Sequence, residues 1–266
     1  MEIQPVALVT GSSSGIGAAI ATQLARDGYR VFGGSRRAES PAGTEALLLD
    51  VCSDASVRAC IETILERTGR LDVLVNNAGQ LIAGAIEELT LDQARTQFET
   101  NFFGVARTVL AVLPHMREQR RGKIVTLSSL AGLVPVPYWG YYNASKFAVE
   151  GYCETLRAEL KPFGIAVAMV EPGAIRTSLF AQPQAVKLDA YTPWRDRGLK
   201  TMSGFEAKAP PPDVVARAVS KIAAAAHPPL RTLVTSEAHA FTTMRRLLPA
   251  GLFESAVRFG FALDRS

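Results

Sequence analysis

Residues 120–150 read RRGKIVTLSSLAGLVPVPYWGYYNASKFAVE, and this stretch decides the fold. Its run 123–127 predicts a strand that stops at Ser128-Ser129, followed by a loop with Gly and Pro. A helix then opens near Tyr141 and carries Tyr142 and Lys146. Side chains four residues apart share one helix face, with Cβ atoms roughly 5–6 Å apart. A phenol beside an ammonium is an arrangement for moving protons. An unperturbed Tyr titrates near pH ~10, so acting as a base at neutral pH requires a drop of about 3 units, or ~4 kcal/mol. One positive charge at ~4 Å supplies about that much at an effective dielectric of ~20. Lys146 is therefore expected to lower the Tyr142 pKa. Taken alone, such a pair reads as a solvated helix face. The strand ending changes that reading, because open α/β sheets bind ligands beyond the carboxyl ends of their strands. Ser129 stands at such an end, so hydroxyl, phenol and ammonium converge on one substrate oxygen.

The flanking chain repeats the strand-then-helix alternation. Short apolar strands are expected at 5–10, 29–34, 46–49, 71–75, 165–170 and 230–235, six besides 123–127, with helices between them. That alternation implies an α/β fold, one doubly wound domain with a parallel sheet of about seven strands. Residues 11–17, GSSSGIG, join the first strand to a helix. Glycines there permit a tight turn and let backbone amides approach an anion at the helix N-terminus. The second strand ends at Ser35-Arg36-Arg37, about 20 residues past the glycines, where dinucleotide folds read the adenosine ribose. A serine and two guanidiniums suit a 2′-phosphate, whereas an acid would repel one. The turn Asn76-Asn77-Ala78-Gly79 is equally consistent with a nucleotide seat and with a structural turn. Asn101 sits inside a helix expected over 91–117; an interior Asn competes with the backbone, so on its chemistry alone it favours a local structural role. Residues 174–212 show no strong period and hold Trp194 and Phe205; a stretch of that length predicts a lid over an apolar pocket. Asp213 is expected to cap the next helix, and the amphipathic segment 237–261 to pack on the core.

Composition narrows the function classes. The 266 residues are 48% apolar and 20% charged, with net charge +4 and a pI near 9.1. Basic residues are scattered in short pairs without aromatic interleaving, which argues against nucleic acid as a partner. Three cysteines in no metal-ligand spacing read as reduced, buried thiols in a cytoplasmic protein, and the three dispersed histidines offer no metal site. Nothing resembles a signal peptide or a membrane span.

Together these motifs resemble the short-chain dehydrogenase/reductase family, in its hydroxysteroid/retinol dehydrogenase-like branch, over nearly the whole chain. The resemblance implies a catalytic tetrad of Asn101, Ser129, Tyr142 and Lys146; Ser129 is preferred to Ser128 by its offset of thirteen from Tyr142. It implies cofactor contacts from Gly11, Ser13, Ser14, Gly15, Ile16 and Gly17, from Arg36 and Arg37, and from Asp50 and Val51. Asn77, Ala78, Gly79, Tyr142, Lys146, Pro172, Gly173, Ile175 and Thr177 complete that set, with no metal. Asn101 is implied to bend its helix and hold a water that touches the Lys. The implied reaction is hydride transfer between NADP(H) and a ketone or secondary alcohol, of bulky apolar or small reactive form, by a homodimer or homotetramer. A non-catalytic nucleotide sensor would need the glycine turn but not the aligned Ser, Tyr and Lys.

Overall fold

The computed structural model describes residues 4–177 and 186–264. Seven strands form one sheet: β1 (Val6–Thr10), β2 (Arg30–Ser35), β3 (Glu45–Leu48), β4 (Val73–Asn76), β5 (Gly122–Leu127), β6 (Ile165–Pro172) and β7 (Arg231–Val234). Their order is β3-β2-β1-β4-β5-β6-β7, and every neighbouring pair runs parallel. Nine α-helices connect or follow them: α1 (Gly15–Arg26), α2 (Asp54–Thr68), α3 (Leu91–Phe98), α4 (Gly104–Glu118), α5 (Gly140–Leu160), α6 (Thr192–Ala207), α7 (Asp213–Ala224), α8 (Ser236–Leu247) and α9 (Ala250–Gly260), counted among the described residues.

Alternation along the strands feeds two cores. Val6 and Leu8 point to the face packed by α2, α4 and α5, where Val57, Ile61, Val109, Val149 and Leu156 are buried. Ala7 and Val9 point to the opposite face, against Ile20 and Leu24 of α1 and Val215 and Val219 of α7. Each fully buried Val, Leu or Ile contributes roughly 1.5–3 kcal/mol, so β1, buried along its whole length, belongs at the centre of the sheet. A third cluster lies beyond the carboxyl ends of the strands and joins Leu81, Val136, Trp139 and Tyr142 to Phe253, Val257 and Phe261.

The chain steps from β1 outward to β3, then returns to place β4 on the other side of β1. This reversal opens a crevice between the ends of β1 and β4. Gly11 turns there with φ +68°, and a Cβ on it would meet the Ala78 Cα at 3.0 Å. A Cβ on Gly17 would lie 2.2 Å from the Gly11 carbonyl oxygen, so helix α1 can approach the turn only without one.

Three expectations need correction. The helix foreseen over 91–117 is two helices joined by a π-helical turn at Glu99–Phe103, and Asn101 sits within that turn. Residues 174–212 are not irregular throughout, since α6 occupies Thr192–Ala207; the part at 178–185 lies outside the described residues. Asp213 is the first residue of α7 and does not cap it; Pro212 holds the capping position, and Asp213 instead meets the positive end of the helix dipole.

Candidate active site

A cavity of about 470 Å³ lies over the crevice, lined from Gly11 at one end to Phe261 at the other. Ligand sites commonly fall in this size range.

At the β1 end the site is stitched by side chains. The Thr10 hydroxyl accepts from the backbone amides of Asn77 and Ala78, both at 3.0 Å. The Asn77 amide nitrogen donates back to the carbonyls of Thr10 (2.9 Å) and Gly11 (3.2 Å). Asn76 turns the other way and accepts from Thr108 at 2.7 Å. Both asparagine side chains are thereby committed to holding the strands, while the Asn77-Ala78-Gly79 backbone lines the cavity. Gly11, Ser13, Ser14, Gly15, Ile16 and Gly17 line it too, and α1 begins here with Ser14 as its N-cap. The Ser14 side chain makes no capping bond, and no acid occupies the first turn. The positive end of the helix is left for an anion, and the glycine cradle leaves room for its approach.

Past β2, Arg36 reaches the cavity and forms no ion pair among the described residues. Arg37 does not line the cavity; it pairs with Glu39 at 2.9 Å and is largely exposed. Ser35 is buried, and its hydroxyl is tied to the Glu39 backbone, accepting from the nitrogen at 2.9 Å and donating to the oxygen at 3.0 Å. Of the three residues read as a phosphate clamp, only Arg36 is free for that role. Asp50 and Val51 line the wall behind it. So does Cys52, which is exposed, contrary to the expectation of buried thiols; Cys60 and Cys153 are buried as expected.

At the ends of β5 and β6 stand the groups of the proton chemistry. Ser129, Tyr142, Lys146, Pro172, Gly173, Ile175 and Thr177 all line the cavity. The Ser129 hydroxyl accepts from the Ala131 amide at 3.1 Å, which fixes its rotamer at the strand end. Lys146 donates to the Leu127 carbonyl at 2.7 Å. Its nitrogen lies 5.8 Å from the centroid of the Tyr142 ring. Burial works against the charge argument made from spacing. Burial pushes the Tyr142 phenol up to about 12, opposed by the adjacent Ser129 side chain, and pushes Lys146 down to about 8, opposed by Glu150. Desolvation dominates at both groups because Tyr142 is buried against Trp139 and Lys146 against the Leu127 carbonyl.

Asn101 is fully buried and stands behind the cavity wall. It accepts from the Gln80 amide at 2.9 Å and donates to the Gln80 carbonyl at 2.9 Å and to the Ser145 hydroxyl at 3.1 Å. These bonds tie the π-helical turn to α5 one residue before Lys146. That bending role fits the implied one; the direct partners are Gln80 and Ser145.

The far end of the cavity was mostly invisible in the sequence. Leu81, Leu130, Val136, Trp139, Met202, Phe205, Phe241 and Phe261 form its apolar lining. Trp139 meets Tyr142 edge to face, centroids 5.6 Å apart. Phe205, singled out above, takes part; Trp194 does not, being 48% exposed outside the cavity. Two carboxylates, Glu206 and Glu237, also face this space. Helix α6 is held to the body by a buried ion pair between Arg195 and Glu88, whose carboxylate also accepts from the amides of Ala85 and Leu188, each at 2.9 Å.

Comparison with known proteins agrees with this geometry. The family model for short chain dehydrogenase matches residues 5–186. The chain belongs to that family. Among short-chain dehydrogenases it is 40% identical to a 3-ketodihydrosphingosine reductase of Bacteroides thetaiotaomicron, covering 98% of this chain and 100% of that one. It is 37% identical to retinol dehydrogenase 8 of Homo sapiens, covering 92% and 86%. These relatives support the hydroxysteroid/retinol dehydrogenase-like branch. A short-chain dehydrogenase from Streptomyces avermitilis superposes with a TM-score of 0.84 at 34% identity, over 100% of this chain and 99% of that one. A family member from Burkholderia phymatum solved with NAD gives 0.78 at 26% identity, over 92% and 94%. A metagenomic one solved with NADP gives 0.67 at 28% identity, over 86% and 96%. The protein is thus an oxidoreductase of a family that binds a nicotinamide cofactor. No described helix is long and apolar enough to cross a membrane.

Proposed function

We propose that this protein transfers hydride between NADP(H) and a ketone or secondary alcohol with a bulky apolar body, using Tyr142 as the general acid or base. The observation that carries this reading is the shared cavity wall: Ser129, Tyr142 and Lys146 beside an apolar chamber walled by Trp139, Met202, Phe205, Phe241 and Phe261. A nucleotide sensor has no use for that wall, and a reductase of small carbonyls has no use for so large an apolar chamber.

The residues present fit the cofactor. The open N-terminus of α1 and the glycine cradle would hold its pyrophosphate, and Arg36 its 2′-phosphate. Asp50 and Val51 would flank the adenine, and Pro172, Gly173, Ile175 and Thr177 the nicotinamide. When bound, the nicotinamide supplies or takes the hydride. The chain does the rest. Ser129 holds the substrate oxygen. Tyr142, protonated across the neutral range, gives its hydroxyl proton to that oxygen as the carbonyl carbon is reduced. Lys146, charged below about pH 8, holds the ribose and orients the phenol.

Two pocket carboxylates narrow the substrate further. Glu237 Oε2 is buried without a hydrogen-bond partner among the described residues, and burial raises the pKa of Glu206. Glu206 also sits at the carboxyl end of α6, where the helix dipole disfavours an acid. Neither carboxylate has an ion pair among the described residues. A ketone with an ammonium group near the carbonyl and a long apolar tail would satisfy both ends of the chamber, and the ketone in the name of the Bacteroides relative fits that description. The exposed apolar side chains of Phe103 in the π-helical turn, Leu110 on α4 and Phe147 on α5 support a homo-oligomer, and the unpaired thiols a cytoplasmic setting.

The test is a panel of long-chain ketones and alcohols, with and without an amino group, run with both cofactors. Fastest oxidation of NADPH with the long-chain amino ketone is expected. Turnover confined to short carbonyls would reject the reading.

A further inference from the structure

Behind Lys146, away from the cavity, two acids are buried in one place. Glu150 lies four residues after Lys146 on the same face of α5, and Glu171 projects from β6; both are under 5% exposed. One guanidinium serves the two. Arg231 Nε, from β7, is 2.8 Å from Glu150 Oε2 and 4.0 Å from Glu171 Oε1. Arg231 also pairs with Glu154, whose carboxylate is half exposed and screened by solvent. Glu171 Oε2 accepts from the Thr232 amide at 2.8 Å. Glu171 Oε1 and the buried Thr232 hydroxyl have no hydrogen-bond partner among the described residues, while the Ser128 hydroxyl lies beside the Glu150 carboxylate and favours its charged form.

Such a cluster cannot carry two full negative charges. A buried carboxylate with an unpaired oxygen costs several kcal/mol, and like charges sharing a site do not both ionise. We propose that Glu150 and Glu171 hold one proton between them, and that the charge left on the pair is a positioning charge that keeps Lys146 an ammonium. The reading rests on the proposed chemistry of Lys146 and assigns what tunes it.

The surroundings leave few other candidates. On α5, Tyr142 and the Cys153 thiol are both pushed up to about 12 by burial and stay neutral. Glu171 is pushed up to about 8, by burial first and by Glu150 second, so it is the partner that keeps the proton at neutral pH. Burial raises Glu150 as well, opposed first by the Ser128 hydroxyl and then by Arg231. Among the described residues Lys146 finds only the neutral Leu127 carbonyl as a hydrogen-bond acceptor, and Glu150 is the first charge that opposes its desolvation.

The experiment has two readouts. Infrared spectroscopy of the whole protein at neutral pH should show a protonated carboxyl band that Glu171→Gln removes, and this needs no turnover. In the pH profile of turnover, Glu150→Gln should move the alkaline limb down by about one unit, the effect of losing one nearby opposite charge. Glu150→Asp, which keeps the charge, should restore most of it, and Glu171→Gln, which mimics the protonated partner, should leave turnover below pH 7 unchanged. Absence of the band overturns the shared proton, whether or not Glu150→Gln folds. A band with an unmoved limb in folded Glu150→Gln overturns the tuning of Lys146 and leaves the oxidoreductase reading intact.

Discussion

One wall of the cavity places Ser129, Tyr142 and Lys146 within residues 129–146, on the end of β5 and the first turns of α5. The facing wall draws Met202 and Phe205 from α6, Phe241 from α8 and Phe261 from the end of α9. The first wall is local and polar, and its geometry follows from one strand, one loop and one helix. The second is assembled by packing over long sequence distances, and its members are ordinary apolar residues at helical spacing. Chemistry is thus set by a short spacing and selectivity by remote packing, so the two walls should respond differently to substitution.

The largest effect should come from the local wall. Lys146→Met should lower turnover by ~10²-fold or more and weaken cofactor binding as well, as expected of a group with two tasks. In the unaltered protein turnover should fall as pH rises through about 8, because the ammonium discharges there. The stability term has the opposite sign. The folded Lys146 releases its proton near 8 and the unfolded one near its ordinary 10.5, so this residue's contribution to stability rises between those values. Melting temperatures should therefore show Lys146→Met no less stable than the parent at neutral pH. A less stable, fully active variant would put Lys146 in the fold and outside the chemistry.

Next in size is the cofactor end. A guanidinium on a partly exposed phosphate contributes roughly 1.5–3 kcal/mol, or about a 10- to 150-fold preference for NADP(H). Arg36→Ile should remove most of that preference, and Arg37→Ile little of it, since Arg37 is engaged by Glu39. Equal effects from both arginines in catalytic efficiencies with the two cofactors would contradict this assignment.

The remote wall should give the smallest and most substrate-dependent change. Phe241→Ala should reduce efficiency on a long-chain ketone by about tenfold, the scale of a lost hydrophobic contact, and hardly alter a short one. Trp194→Ala should alter neither. Parallel losses on both substrates would mean that Phe241 supports the catalytic wall and not the chamber.

The same division explains what could be read from the chain. The seven strands and the Ser129-Tyr142-Lys146 wall were legible because they rest on apolar runs, glycines and fixed spacings, whereas the order of the strands in the sheet came only from the structure. Asn101 was legible as a disturbance within its helix, but not as the π turn that divides that helix in two. Helix α6 was not legible because its buried residues are Arg195 and Gly198, so it lacks the apolar stripe that reveals a helix. Arg195 is there to meet Glu88, 107 residues earlier, and no local pattern signals that pairing. Nor did the spacing of Tyr142 and Lys146 reveal their pKa values, because charge separation can be guessed from a helix whereas burial cannot.

The central claim is that Tyr142 hands the proton to the substrate oxygen, and Tyr142→Phe tests it most directly. The substitution keeps the ring against Trp139 and removes the hydroxyl. Single-turnover oxidation of bound NADPH by a long-chain ketone should slow by ~10²-fold or more, with folding and NADPH affinity unchanged. A folded Tyr142→Phe protein that binds NADPH and oxidises it at the parent rate would contradict the account.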